Sequence, residues 1–300
     1  MHAGVIINPI SGRPARDGGG SARAARARDI ARQCRVDAEV RVTDRPGHAV
    51  ELARAFTRAG AAVVIAWGGD GTVNEVAGPL IGSPSALGIV PAGSGDGLAR
   101  GLGLPRVPED ALAIALGGAV STMDVGYVGT RHFLNIAGVG FDAAVAVAFN
   151  RRRRRGGTGY VFDGLTSVWQ YASQSYELDL DGESFSGRRF LVAFANGSQY
   201  GNGLEVAPDA DPRDGRLNAV VVSGGSPVRQ LWRSRRLFFR QMAPAEGVVR
   251  RDITRARIRG DRLVCQVDGE TFEANGELAV RIDPGAIRVT GIGRGRLQPA

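Results

Sequence analysis

Residues 61–76 read AAVVIAWGGDGTVNEV, and the fold class turns on them. Positions 61–66 are apolar on both alternations, the pattern of a strand covered on its two faces. Three glycines around one aspartate follow, and residues 72–80 then take helical spacing. Strand, glycine turn and helix in immediate succession form one half of a parallel βαβ unit.

Working outward, the same alternation repeats. Residues 4–8 (GVIIN) read as a strand, 21–34 as an Ala/Arg helix and 36–42 as a second strand. Residues 47–59 carry Val50, Leu52, Ala53 and Phe56 at helical spacing, and 86–90 form a further strand. A parallel sheet with helices on both faces is the expected architecture, with ligands gathering at the carboxyl ends of its strands.

After about residue 122 the texture changes to strands in succession: 122–127, 133–137, 176–180, 190–195, 217–222 and a run over 253–282. Asp181-Gly182 and Asp268-Gly269 separate several of them as hairpin turns do. Helical segments near 160–172 and 228–241 interrupt the series. The expected division is an α/β domain over 1–122 and an antiparallel β-sandwich over 123–285, with the strand at 286–290 free to complete either domain.

Composition narrows the class. The chain has 300 residues, 43 % of them hydrophobic, and no apolar stretch near the ~20 residues of a membrane-spanning helix. Its start, MHAGVIINPISG, enters a strand without a basic region or a cleavage site, so a cytoplasmic protein is expected. Cys34 and Cys265 are the only cysteines, which fits a reducing compartment. The net charge of +8 is carried entirely by arginine, because the chain has no lysine. Any phosphate held by a cationic side chain is therefore held by an arginine fork.

Three glycine-bearing turns follow three of the parallel strands: Asn8-Pro9-Ile10-Ser11-Gly12, Gly68-Gly69-Asp70-Gly71-Thr72 and Pro91-Ala92-Gly93-Ser94-Gly95-Asp96-Gly97. Glycine lets backbone N–H groups face an anion, and a helix starting just beyond adds its positive end. Ser11, Thr72 and Ser94 add hydroxyl donors. The set points to a nucleotide triphosphate site, although each turn alone reads equally as an ordinary strand-to-helix connection. Asp70 would repel phosphates unless a cation intervened, which suggests Mg²⁺ or a proton-accepting role. A helix cap for the segment at Thr72 is the plainer alternative.

Together, NPISG, WGGDGTVNEV and PAGSGDGLAR resemble the diacylglycerol kinase catalytic-domain family, which includes bacterial lipid kinases and the sphingosine and ceramide kinases. MDVGYV, RHFLNIAGVGFDAAVA, PDADPRDGRLNAVVV and the terminal VDGE extend the resemblance over nearly the whole chain. It implies an NAD-kinase-like α/β domain followed by a sandwich that carries the lipid site. It further implies that Asn8, Pro9, Ser11, Gly12, Thr43, Gly68, Gly69, Asp70, Gly71, Thr72, Asn74, Gly93 and Ser94 contact ATP. Glu270 would be the base acting on the lipid hydroxyl, with Asp70 near Mg²⁺ and the γ-phosphate or sharing the base role. Asp211, Asp214 and the carbonyl of Leu217 would match a Mg²⁺ site in the second domain. On the residues alone, Glu270 also reads as a plain hairpin acid and the two aspartates as loop solvation.

Two departures stand out. Asp96 replaces the Asn of the sphingosine and ceramide branch, which bears on the lipid class. Gly201-Asn202-Gly203 stands where three glycines are usual. A kinase for lipids must meet a membrane surface, and residues 151–155 (five arginines) and 229–240 (RQLWRSRRLFFR) are the expected contacts with anionic lipid, a solvated face over an apolar core stripe being the equal alternative for each. Nucleic acid is discounted because no reader motif accompanies the arginines; a homodimer is compatible with the sequence. The alternatives are a soluble kinase of the NAD-kinase kind and a non-catalytic nucleotide-binding protein at the membrane.

Overall fold

Strands that read as unbroken apolar runs are buried along their length, and this organises the first half of the chain. The computed structural model describes residues 1–12, 19–141, 143, 173–201, 203–225 and 247–292. They fall into two units, the first formed by Met1–Val125, Tyr200–Asn202 and Pro284–Ala300 and the second by Gly126–Gln199 and Gly203–Asp283.

In the first unit the elements run β1 (His2–Ile7), α1 (Gly19–Gln33), β2 (Asp37–Val42), α2 (His48–Arg58), β3 (Val63–Gly68), α3 (Asp70–Ala77), β4 (Ala86–Pro91), α4 (Gly97–Gly101) and α5 (Pro108–Gly117). The strands are parallel in the order β4-β3-β1-β2, with Val5 opposite both Val40 and Ile65, and Ala66 opposite Ile89. Every residue of β3 and β4 is buried. On one face Ala24, Ala27 and Ile30 of α1 and Leu112, Ala115 and Leu116 of α5 pack against Val5, Ile65 and Trp67. The opposite face holds Phe56 of α2, and a methyl on Gly4 would lie 2.4 Å from its ring. Glycine at that position lets the helix close onto the strand, and truncating such a buried aromatic costs about 3–5 kcal/mol.

The second unit is antiparallel. Its strands include β6 (Arg131–Phe133), β7 (Ile136–Gly140), β8 (Gln174–Leu180), β9 (Glu183–Ala195), β10 (Leu217–Ser223), β11 (Val248–Ile253) and β12 (Arg255–Val267), while β5 (Val120–Val128) and β13 (Glu270–Thr290) contribute to both units. The long β9 pairs with β8 through its first half and with β7 and β10 through its second. Inward residues of these strands, among them Phe133, Phe194, Leu217, Ile258 and Val280, form one core. The expected α/β domain and antiparallel β-sandwich are therefore the observed fold. The strand at 286–290 goes to the first unit, where Arg288 and Val289 of β13 pair parallel with Ala86 and Leu87.

Three local expectations change. The strand expected over 133–137 is broken into β6 and β7, because the N–H groups of Leu134 and Asn135 go to the Asp268 carboxylate instead of a ladder. The run over 253–282 is likewise cut at Thr254, while its Asp268-Gly269 turn is the hairpin expected from the sequence. Helices α4 and α5 have no counterpart in the sequence reading, although Pro108 at the first turn of α5, with Glu109 and Asp110, is a start signal. The expected helices near 160–172 and 228–241 lie outside the described residues.

Candidate functional site

The carboxyl ends of β4, β3, β1 and β2 lie side by side, and each carries residues singled out in the sequence. The first turn is fixed by Asn8. Its backbone N–H donates to Trp67 O at 3.0 Å, its Oδ1 accepts the Ile10 N–H at 3.1 Å, and its Nδ2 donates to Thr72 Oγ1 at 2.9 Å. One side chain thus shapes its own turn and ties it to the next. Ser11 is 5 % exposed and its hydroxyl donates to Asn8 O at 2.9 Å, so the side chain is spent inside the turn. Gly12 has φ +73°, and a Cβ there would sit 2.4 Å from Ala92 O. No other residue fits that backbone and that contact.

At the second turn, α3 begins at Asp70 with Gly69 as its cap, and no side chain caps it. Asp70 is thus the first residue of α3, not its cap position, and its Oδ2 accepts the Gly97 N–H at 3.3 Å and its Oδ1 the Leu98 N–H at 3.4 Å, both on α4. The carboxylate is half-buried and caps a different helix from the one it starts. Thr72 is buried against Gly68, where a Cβ would come within 2.5 Å of it, and Asn74 lies half-buried one position beyond Val73. The first N–H groups of α3 lack intrahelical partners by the geometry of any helix start and carry its positive end.

The third turn is locked to the second backbone to backbone. Ala92 N–H donates to Gly68 O at 2.9 Å, and a Cβ on Gly93 would lie 2.8 Å from Gly69 Cα. Ser94 is exposed. Asp96 has φ +48°, and its Oδ1 accepts the Gly93 N–H at 2.8 Å. Burial pushes its carboxyl up, opposed by the Gly93 N–H and by Arg100 and Arg106. An asparagine would adopt the same left-handed backbone and offer the same Oδ1. The Asp-for-Asn departure thus keeps the loop's geometry. Gly201, at φ +118°, bridges Asp96 and would place a Cβ 2.7 Å from Gly95 O; Asn202 lies outside the described residues. At the end of β2, Thr43 donates from N and Oγ1 to Ile7 O at 2.9 and 3.4 Å.

The first unit therefore gathers every expected nucleotide contact on one edge of one sheet. Sequence reasoning missed Arg23 of α1, a fully buried guanidinium against the first turn. Its only signal was a charged position on the buried stripe of an Ala/Arg helix.

In the second unit Glu270 is exposed at the start of β13, beyond a hairpin in which Asp268 and Gly269 have φ +47° and +87°. The Asp268 carboxylate accepts the N–H groups of Leu134, Asn135 and Ile136 at 2.8, 3.0 and 3.1 Å, and Gln266 Oε1 accepts the Gly269 N–H at 2.8 Å. The turn that presents Glu270 is thereby held from two sides. Of the expected Mg²⁺ ligands, Asp211 is engaged by Arg213 through both oxygens, at 3.0 and 3.4 Å, while Asp214 accepts the Arg216 N–H at 2.9 Å. Leu217 opens β10 and is buried. The three do not fit a Mg²⁺ ion as arranged, because Arg213 occupies the oxygens that Asp211 would lend. The arginine-rich segments 151–155 and 229–240 lie outside the described residues, and among the described residues no helix is long and apolar enough to cross a membrane.

Comparison with known proteins bears on this arrangement. Residues 2–128 match the family described as the diacylglycerol kinase catalytic domain, and residues 135–291 match the YegS C-terminal NAD kinase beta sandwich-like domain. A probable lipid kinase YegS-like of Chromohalobacter salexigens is 39 % identical over 198 residues, a stretch that spans 64 % of each chain. A protein of the same description from Pseudomonas fluorescens is 30 % identical over 258 residues, covering 84 % of this chain and 85 % of that one. Among solved structures, a putative diacylglycerol kinase from Bacillus anthracis has the same fold, with a TM-score of 0.79 at 19 % identity over 96 % of both chains.

Proposed function

Because the chain belongs to the diacylglycerol kinase catalytic-domain family of lipid kinases, we propose that it transfers the γ-phosphate of ATP to a lipid hydroxyl, of diacylglycerol or a related sphingoid base or ceramide. The observation that carries this reading is the convergence of three glycine turns at adjacent strand ends, cross-tied by Asn8 to Thr72 and by Gly69 against Gly93. Backbone N–H groups and the start of α3 are suited to a chain of phosphates.

In the proposed reaction Glu270 takes the proton of the lipid hydroxyl. The freed oxygen forms a bond to Pγ as the bond from Pγ to the β,γ-bridging oxygen breaks, leaving ADP and a lipid phosphate monoester. The chain's own contribution is positioning and the neutralisation of developing charge, which dominate phosphoryl transfer. Magnesium bound with ATP would spread the charge across the phosphate oxygens. The Asp70 carboxylate, with two long hydrogen bonds and partial exposure, is the first-unit group suited to face such a cation. No step is assigned to Asp211, Asp214 and Leu217. Lipid is met at the membrane surface, and the arginine-rich segments 151–155 and 229–240 are the proposed contacts.

The test is transfer of label from γ-labelled ATP to diacylglycerol, monoacylglycerol, ceramide, sphingosine and phosphatidylglycerol in mixed micelles, with NAD as a parallel acceptor. Label in a lipid supports the reading; label in NAD alone replaces it with the NAD-kinase alternative. Glu270→Gln is expected to lower turnover about 10²-fold with ATP affinity unchanged, as for loss of a general base.

A further inference from the structure

We propose that Arg23 is a positioning residue for ATP: a buried cation that holds the Asn8–Gly12 turn in its phosphate-facing form and so sets the affinity for the phosphates without touching the acceptor. The inference rests on the family reading above and adds a residue to it. Arg23 projects from the first third of α1 and is 1 % exposed. Burying a guanidinium that completely is costly unless its donors are taken up. The turn takes up part of the donor set: Nη1 donates to Asn8 O at 3.0 Å and to Ser11 Oγ at 3.2 Å, and Nη2 donates to Ser11 O at 2.9 Å.

Those acceptors have a directional consequence. The carbonyls of Asn8 and Ser11 both point at the arginine, and the Ser11 hydroxyl is used between them. Carbonyl oxygen would repel a phosphate, and Arg23 draws two such oxygens inward. Gly12, at φ +73°, then turns the chain at the exposed tip of the loop, where a Cβ would lie 3.8 Å from Arg23 Nη2 and 2.4 Å from Ala92 O. A planar fork can hold three acceptors in one plane; a lysine ammonium at the same depth cannot match that geometry. The positive charge also sits beneath the loop in a water-poor setting, where its field is less screened.

The experiment uses the full chain with Arg23→Lys, and with Ser11→Ala as the milder variant that removes one acceptor of the fork. ATP, ADP and adenosine binding are measured by calorimetry, and KM for ATP and for lipid by label transfer. Arg23→Lys is expected to raise KM for ATP about tenfold and to weaken ATP and ADP by a similar factor, with adenosine affinity and lipid KM within about twofold of wild type. Ser11→Ala is expected to move the same quantities by about threefold in the same direction, and it serves as the test if Arg23→Lys does not fold. Unchanged ATP affinity in a folded variant overturns the proposal, as does an equal loss for adenosine and ATP, which marks a merely structural role. A wild-type chain that binds no ATP overturns the family reading and this inference with it. ATP binding by wild type with no effect of either substitution overturns this inference alone.

Discussion

Two aspartates followed by glycine, one in each unit, are used in opposite ways. Asp268 accepts three successive backbone N–H groups at 2.8–3.1 Å, the geometry of an anion seated in a nest of amides. Asp70 accepts two at 3.3 and 3.4 Å and keeps part of its surface exposed. The first holds a break between strands; the second is half-buried and takes its two N–H groups from α4 at longer range. The short, threefold set marks Asp268 as a structural acid, while the longer pair belongs to the acid proposed above to face a cation.

The largest expected effect is on the structural side. Asp268→Ala removes three charge-assisted hydrogen bonds and leaves the N–H groups of 134–136 unpaired, and it should destabilise the protein by about 3 kcal/mol or more in urea denaturation. A loss under about 1 kcal/mol would show that the turn is held elsewhere. Asp70→Asn should separate the two properties, lowering turnover about 10²-fold while stability moves by less than about 1 kcal/mol. Equal stability losses at the two aspartates would erase the contrast. Gly12→Ala forces a left-handed alanine against Ala92 O and is expected to cost about 1–3 kcal/mol, with weakened ATP binding in any folded product.

The smallest effect belongs to Asp96→Asn. Burial raises the Asp96 pKa, so the folded state prefers the neutral acid. That contribution is complete below the unfolded-state pKa and is lost as pH rises through the folded value. Wild type should therefore lose a little stability across the mildly acidic range as pH rises, and the asparagine variant should not. At neutral pH the two should agree within about 0.5 kcal/mol, and lipid preference should be unchanged, because Oδ1 meets the Gly93 N–H in both. A shifted lipid preference would return Asp96 to the role the sequence suggested for it.

The legibility of the sequence follows the range of the interactions. β3 and β4 were readable because a strand buried on both faces must be apolar throughout, and the glycine turns because positive φ and close backbone approach admit little else. The break at Leu134 and Asn135 was not readable, since its cause, the Asp268 carboxylate, lies more than a hundred positions away. The bonds from Asp70 to α4 were not readable either, because α4 is only five residues long and begins 27 positions further along the chain. Arg23 was invisible among the arginines of α1, because only depth distinguishes it from a solvated neighbour. Ser11, counted as a phosphate donor, proved to be internal wiring for the same reason.

The most direct test of the central claim is the initial rate of label transfer from γ-labelled ATP to diacylglycerol micelles by wild type and Asp70→Asn, each checked for an unchanged melting transition. The expected result is a labelled lipid phosphate with wild type and a rate about 10²-fold lower with the variant. A wild-type chain that labels no lipid, or a variant that labels it at the wild-type rate, would contradict the assignment of this sheet edge as the kinase site.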